Sequence, residues 1–274
     1  MSWVEAELRE QPVALERFLT AESAHTPGIV RALLRDDVRY LLIVSRGSSS
    51  NVARYMQYLF GTVNRLPVSF ATPSLYTVSD APPELGPAAV IGISQSGASP
   101  DVVAVLDEAR KQNRPTLAIT NDPKSPLALA ADCVLQLHAG EERAVAATKT
   151  YLNSIAAVAL LSTAAVGDPT RLRELRKAPT AVAELGRPLC RADDVGEEHR
   201  REHAVGDVRH RLAGDEALDL VGYLRREEDL PVVLAGCSKH PCAGDQVRDL
   251  AGMLLPDRAV QDERRHAYGR QDVA

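Results

Sequence analysis

The sequence predicts an α/β protein with a doubly wound, five-stranded parallel sheet flanked by helices, followed by a poorly defined C-terminal segment. Short apolar runs rich in Val, Ile and Leu recur between residues 38 and 137. Segments with helical spacing of apolar residues separate several of these runs. Runs that are apolar throughout are typical of strands covered on both faces, and their alternation with helices indicates βαβ units and a parallel sheet.

The elements are predicted in chain order. Residues 1–36 are expected to form N-terminal helices, because apolar residues recur at helical spacing over 13–22 and 27–35. The predicted strands are 38–44, 67–71, 88–93, 115–120 and 133–137. The predicted helices between and after them are 51–63, 101–112, the Ala-rich 144–166, and 171–185. After residue 187 strand signals become rare, and 230–234 is the clearest one.

Composition argues against several classes of partner. The net charge is −5, whereas nucleic-acid surfaces carry a basic stripe, so no nucleic-acid partner is expected. The N-terminus lacks the basic and apolar parts of a secretion signal, and no uncharged apolar run approaches the ~20 residues that span a bilayer. The four cysteines are irregularly spaced and predict no disulfide framework. We therefore expect a cytoplasmic protein without a membrane partner.

Two predicted strands end in loops rich in serine and glycine. Helix N-termini offer unpaired N–H groups and a partial positive charge, serine hydroxyls add donors, and glycine lets the backbone approach a ligand. Serine and glycine are also common in ordinary turns, but two such loops at equivalent positions favour an anion site. The predicted phosphate-binding residues are Gly47, Ser48, Ser49, Ser94, Gln95, Ser96, Gly97 and Ser99.

A third junction, residues 140–150, is expected at the same edge of the sheet. It reads GEERAVAATKT and carries Glu141 and Glu142 in what is predicted to be a first helical turn. Acidic residues there often serve only as partners of the helix dipole. The alternative is that one of them faces a sugar as an acid or base, which makes Glu141 and Glu142 the candidate catalytic residues.

The runs SRGSS, ISQSGASPD and GEERAVAATKTYL resemble the sugar isomerase (SIS) domain family. They are most similar to the first SIS half of two-domain aminosugar-phosphate enzymes. These are the isomerase part of glutamine–fructose-6-phosphate aminotransferase and the SIS-type glucosamine-6-phosphate deaminases. The resemblance covers residues 10–187 and implies a flavodoxin-like SIS domain over 37–187.

The resemblance implies roles for individual residues. It assigns phosphate binding to Ser49, Ser94, Gln95, Ser96 and Ser99. Val145 matches a position whose backbone contacts the sugar, and Ala147 stands where the aminotransferases usually carry serine. Lys149, with Thr148, matches the family run, either beside the sugar or as a group that fixes the helix start and a subunit contact. No cofactor and no metal are implied.

The second SIS half of these enzymes supplies a glutamate that moves the proton and a histidine that helps open the ring. Neither motif is found after residue 190. Residues 188–274 are therefore expected to be a divergent or incomplete second half, partly disordered, or a truncated or out-of-frame end. The H-x-x-E-H run at 199–203 is interpreted as a solvated helix face. The spacing of the Cys237–Cys242 segment matches no common zinc motif, so no metal site is predicted there.

Two functions remain open from the sequence. One is an aminosugar-phosphate isomerase or deaminase that converts glucosamine-6-phosphate to fructose-6-phosphate and ammonia. The other is a non-catalytic hexose-phosphate-binding module that has lost the catalytic half. In both cases the expected ligand is a hexose phosphate or aminohexose phosphate, and pairing of SIS domains implies a homodimer.

Overall fold

The computed structural model describes residues 2–189, which contain a five-stranded parallel sheet. Its strands are β1 (Tyr40–Ser45), β2 (Val68–Phe70), β3 (Ala88–Ile93), β4 (Thr116–Thr120) and β5 (Cys133–Gln136). The helices are α1 (Trp3–Glu22), α2 (Thr26–Leu33), α3 (Ser49–Leu59), α4 (Ser74–Thr77), α5 (Pro100–Lys111), α6 (Pro126–Ala130), α7 (Lys149–Val166), α8 (Pro169–Leu175) and α9 (Ala178–Leu189). A π-helical turn, Phe60–Asn64, continues α3. The predicted fold class is confirmed.

The strands lie in the order β2-β1-β3-β4-β5. Leu41 of β1 is opposite Val68 of β2 on one side and Ala89 of β3 on the other. The chain therefore runs outward from β1 to β2 and then returns past β1 to build the rest of the sheet. This reversal places the topological switch point between β1 and β3, where open α/β sheets form a crevice at their carboxyl edge.

Both faces of the sheet are covered, as the continuous apolar strands require. On one face Leu41, Ile43 and Ile91 pack in a buried cluster with residues of α1, α2, α3 and α7. On the other face Val44 and Val90 pack in a second cluster with residues of α5 and α6. All six residues of β3 are buried between the two helix layers. This central strand therefore anchors the loops beside the switch point.

Three helix predictions were wrong at their boundaries. The helix predicted over 144–166 begins at Lys149, because carboxylates hold the preceding residues in a loop. The helix predicted over 171–185 is two helices, since Pro179 has no N–H to continue the first one. The first helix begins at Trp3 rather than 13, where the Ser2 hydroxyl caps it by accepting from the Glu5 N–H at 3.2 Å.

The buried polar residues of α1 explain why its first half was missed. Glu7 is 3% exposed and Gln11 is 8% exposed, so the buried face of this segment is not apolar. A helical pattern of apolar residues is therefore absent there, although the segment is helical.

Among the described helices, α7 is long and apolar enough to cross a membrane by length and composition, but 67% of it is buried within the protein. This burial is the pattern of a core helix. Residues 190–274, with the predictions made for them, lie outside the described residues, and the domain boundaries remain a prediction.

Asn153 tests how α7 is fixed in the core. It is fully buried, and its amide nitrogen donates to the carbonyls of Ala14 in α1 at 3.1 Å and Leu137 after β5 at 2.8 Å. We expect Asn153→Ala to lower the free energy of unfolding by about 2 kcal/mol, because two buried carbonyls lose a donor. Urea denaturation measures this change.

The matched control is Ser154→Ala on the same helix. The Ser154 hydroxyl donates only within α7, to the Thr150 carbonyl at 2.7 Å, so its loss should change stability by less than about 1 kcal/mol. Equal losses for both variants would contradict a bridging role of Asn153.

Candidate functional site

Three loops lie at the carboxyl edge of the sheet. The first serine loop, residues 45–50, joins β1 to α3, and the second serine loop, residues 94–99, joins β3 to α5. The acidic loop, residues 138–148, joins β5 to α7. The two serine loops flank the switch point, so the residues predicted for phosphate binding come together there.

The first serine loop turns at Gly47, whose φ is +58°. The Gly47 carbonyl accepts from the Ser50 N–H at 3.0 Å, which tightens the entry into α3. Ser48 is exposed and stands at the N-cap of α3, yet its side chain makes no capping hydrogen bond. The hydroxyls of Ser48 and Ser49 and the positive end of α3 can therefore serve an anion.

The second serine loop has a fixed shape. The buried Ser94 hydroxyl accepts from the Gly97 N–H at 3.2 Å, and the exposed Ser96 hydroxyl accepts from the Ala98 N–H at 3.3 Å. Ser99 stands at the N-cap of α5 without a side-chain capping bond. Ser94 thus shapes the loop, while Ser96 and Ser99 present hydroxyl groups beside the N-terminus of α5.

Gly97 is the tightest position of this loop. Its φ is +61°, and a Cβ there would lie 2.1 Å from the Ser125 Oγ. The Gly97 carbonyl also accepts from the Leu127 N–H at 3.0 Å, which joins the loop to α6. Glycine is therefore required by both conformation and space.

An ion pair that the sequence analysis missed connects the serine loops. The Arg46 guanidinium donates from Nε and Nη2 to Asp101 in the first turn of α5. Arg46 is two-thirds exposed, whereas the Asp101 side chain is only 15% exposed. The signal was available in the sequence, since Arg46 directly follows β1 and Asp101 is two residues after Ser99.

Glu142 caps α7 rather than lying in its first turn. Its carboxylate accepts from the backbone N–H groups of Thr148 at 2.9 Å and Thr150 at 3.1 Å, and from both threonine hydroxyls. The Gln95 side-chain amide donates to the same carboxylate at 3.0 Å. Glu142 therefore neutralises the positive end of α7 and ties the second serine loop to the acidic loop.

The other predicted residues of the acidic loop have diverse surroundings. Glu141 is exposed and paired with Arg143 at 2.7 Å, and hydrogen bonding to that guanidinium holds the pKa of Glu141 below its usual value. Val145 is fully exposed and Ala147 is half-buried. Lys149 is 3% exposed, and its Nζ donates to Glu10 at 2.7 Å and to the Glu141 carbonyl at 2.6 Å. This burial favours the helix-fixing alternative for Lys149.

Glu7 of α1 reaches the acidic loop from outside the sheet. Its carboxylate accepts from the Arg143 N–H, from the Ala144 N–H at 3.2 Å and from the Thr148 hydroxyl at 3.1 Å. Burial by itself would raise the pKa of Glu7, but these hydrogen bonds and the charge of Lys149 lower it below 4.5. Glu7 is thus an ionised buried carboxylate that holds the loop, and no local pattern around residue 7 indicates this role.

Within residues 2–189 no three His, Cys, Asp or Glu side chains cluster as a metal site. The H-x-x-E-H run at 199–203 and the Cys237–Cys242 segment lie outside the described residues. The catalytic roles of Glu141 and Glu142 and the ligand roles of the serine loops remain predictions.

The fold and the position of its loops define a doubly wound α/β domain of the class that binds ligands at its switch point. Comparison with known protein families identifies the family within this class. Residues 36–164 match the family model described as the SIS domain, and the chain belongs to the SIS domain family through this segment. The resemblance seen in the three sequence motifs is confirmed.

Individual relatives agree with this assignment. Glutamine–fructose-6-phosphate aminotransferase (isomerizing) from Thermus thermophilus is 34% identical over 197 residues, which are 67% of this chain and 32% of that protein. The chain therefore matches about a third of the length of this curated relative.

Solved structures support the fold. A putative phosphosugar isomerase from Silicibacter pomeroyi is 34% identical, with a TM-score of 0.65 over 68% of this chain and 57% of the other. Glucosamine-6-phosphate deaminase from Thermotoga maritima is 22% identical, with a TM-score of 0.51 over 66% of this chain and 54% of the other, and supports the fold alone.

Two glycines with the same backbone conformation test the packing of the second serine loop. Gly97→Ala should destabilise the protein by about 3 kcal/mol, because left-handed strain adds to a clash with Ser125. Gly47→Ala, at φ +58° with nothing within 4 Å of the new Cβ, should lose only about 1 kcal/mol through strain. Thermal and urea denaturation measure both changes.

A second substitution separates the clash with Ser125 from the backbone strain at residue 97. Adding Ser125→Gly to Gly97→Ala removes the Oγ and Cβ that the new methyl group meets. The double variant should recover part of the lost stability beyond the additive sum. No recovery would mean that strain, and not the clash, limits this position.

Glu7 predicts a pH dependence of stability. Since its pKa is lower in the folded state, its contribution is present above about pH 4.5 and is lost as the pH falls through the folded value. We expect Glu7→Gln to reduce the free energy of unfolding by about 2 kcal/mol at pH 7. The difference from the unmodified protein should shrink below pH 4.5, measured by denaturation across pH 3–7.

Glu16→Gln on the exposed face of the same helix is the control, and it should change neither the free energy of unfolding nor its pH dependence appreciably. A pH-independent loss in Glu7→Gln would mean that Glu7 acts through packing and not through its charge.

Proposed function

We propose that the described domain binds the phosphate of a hexose phosphate or aminohexose phosphate between the two serine loops. The observation that carries this proposal is the pair of helix N-termini, those of α3 and α5, which flank the switch point and whose N-cap serines, Ser48 and Ser99, make no side-chain capping bond. Each N-terminus carries the positive end of a helix dipole, and the serine hydroxyls beside it offer donors. A phosphate dianion accepts from all of these groups at once.

The ligand residues follow from this arrangement. Ser48 and Ser49 supply donors from the first serine loop, and Ser96 and Ser99 from the second. Gly47 and Gly97 keep the backbone close to the anion, while Ser94 and Gln95 fix the second loop through Gly97 and Glu142. We assign a backbone contact with the sugar to Val145, which is fully exposed in the acidic loop.

For the whole protein we propose an aminosugar-phosphate isomerase or deaminase that takes glucosamine-6-phosphate and water to fructose-6-phosphate and ammonia. Its relatives' names support this class, since they include the isomerizing aminotransferase and a putative phosphosugar isomerase. The phosphate anchor would orient C1 and C2 of the open-chain sugar, so that remote binding energy assists the proton shift.

A specific observation favours the second candidate, a non-catalytic hexose-phosphate-binding module. The proton shift needs a free carboxylate as base. In the acidic loop Glu142 accepts several hydrogen bonds, and the pKa of Glu141 is lowered by its pairing with Arg143. Both glutamates are therefore weak candidates for the base, so the described residues favour binding more clearly than catalysis.

We further propose that the protein acts in the cytoplasm as a homodimer, in keeping with its soluble substrate class and with the pairing expected of SIS domains. Exposed apolar side chains beside the acidic loop, Trp3 and Val145, offer one surface for such pairing.

A coupled assay of the full chain with glucosamine-6-phosphate, following fructose-6-phosphate, tests the proposal. Ser96→Ala and Ser99→Ala should each lower kcat/KM by about tenfold to a hundredfold, because a hydrogen bond to a charged phosphate is lost. Ser69→Ala, which changes an exposed serine on the edge strand β2, is the matched control and should leave activity unchanged.

Two other outcomes separate the candidates. Absence of turnover, together with binding of fructose-6-phosphate that Ser96→Ala weakens, would identify the binding module. Absence of both turnover and binding would contradict the phosphate site itself.

A further inference from the structure

The ion pair between Arg46 and Asp101 lies where the two serine loops approach each other. Arg46 belongs to the first serine loop, and Asp101 lies in the first turn of α5, immediately after the second. The guanidinium therefore extends from the first serine loop to the first turn of α5, which follows the second serine loop. Within residues 45–50 and 94–101, Arg46 is the only Lys or Arg.

Three other cations near the carboxyl edge have partners away from this position. Lys149 is buried against Glu10, and Arg143 pairs with Glu141 and lies over the Trp3 ring at 4.9 Å. Arg17 donates to the His138 carbonyl at 2.7 Å, on the side of β5 and α1. Lys124 in the loop after β4 and Arg54, 5.7 Å from the Phe70 ring at the end of β2, also lie toward this edge, but Arg46 is the cation within the serine loops themselves.

The pair with Asp101 is weak enough to exchange. The Asp101 side chain is only 15% exposed, but the Arg46 guanidinium is two-thirds exposed, so water screens it and can solvate it when it leaves the carboxylate. A phosphate dianion presents more charge than a carboxylate and accepts two parallel N–H bonds from a guanidinium. Asp101 also keeps a second partner without Arg46, since its Oδ1 accepts from the Val102 N–H at 3.1 Å.

We propose that Arg46 is a phosphate ligand that is held by Asp101 in the free protein and transfers to the phosphate when the sugar binds. This inference rests on the proposed function, whose phosphate site is formed by the serine loops. Asp101 then acts against binding in two ways. It competes for the guanidinium, and its negative charge occupies the first turn of α5, where the helix dipole favours the ligand anion.

Opposite effects of substitutions at the two partners test this exchange. In titrations of the full chain with fructose-6-phosphate, in the absence of ammonia, Arg46→Gln should raise the dissociation constant about tenfold or more. Asp101→Asn retains an oxygen for the Val102 N–H and should lower the dissociation constant about two- to fivefold. Arg46→Lys should give an intermediate loss, because it keeps the charge without the planar fork.

Two controls accompany the titration. Thermal denaturation should show all three variants folded, since Arg46 is two-thirds exposed and the residue at 101 keeps the Val102 N–H as a donor. Raising the salt concentration should weaken binding less in Arg46→Gln than in the unmodified protein, because one screened interaction is already absent.

The opposite results would overturn the inference. If Asp101→Asn weakens binding as much as Arg46→Gln does, the pair is a brace between the loops and not a competitor of the ligand. If Ser96→Ala weakens binding and Arg46→Gln does not, the phosphate site stands and only the role of Arg46 fails. If the unmodified chain binds no fructose-6-phosphate, the proposed function fails together with this inference.

Discussion

The Glu142 carboxylate receives hydrogen bonds from the first residues of α7 and from Gln95 of the second serine loop. The N-termini of α3, α5 and α7 all lie at this edge of the sheet. Without Glu142 the positive end of α7 would carry no compensating negative charge there. Glu142 thus compensates the N-terminus of α7, whereas Ser48 and Ser99, the N-cap residues of α3 and α5, make no side-chain capping bond. This difference concentrates the capacity for an external anion at the switch point.

Glu7 adds a second carboxylate to the same loop, and it does so from a helix that precedes the sheet. The two carboxylates meet at the Thr148 hydroxyl, which is 3.1 Å from Glu7 and 3.0 Å from Glu142. Buried like charges repel unless donors surround them, and here backbone N–H groups and Lys149 provide that compensation. The acidic residues of this region therefore hold the site together more clearly than they offer a base.

Much of the sheet could be predicted from the sequence because buried parallel strands are apolar throughout. The bounds of β3 agree with the prediction, and the other four strands differ by at most two residues at either end. The acidic loop could not be predicted in this way. Residues 144–148 read AVAAT, which suits a helix locally, but a carboxylate 136 residues earlier in the chain holds the Arg143 N–H and keeps the segment extended as a loop.

Some residues of the site have a local signal in the sequence, whereas others depend on partners that are distant in the sequence. The serine loops could be predicted as a candidate anion site because serine and glycine at a helix start are a local signal in the sequence. The burial of Lys149 and the bridging position of Arg46 depend on partners that are distant in sequence, Glu10 and Asp101. Such pairings appear only when the chain is folded.

The contacts of α1 bear on where the domain begins. The segment that matches the SIS family starts at residue 36, yet Glu7, Glu10 and Gln11 all contact residues 141–149 from before that point. A shortened chain starting at residue 36 would leave Lys149 without its carboxylate and Thr148 without two of its partners. Contacts from α1 therefore help to keep the acidic loop in place, although the segment that matches the family model begins after α1.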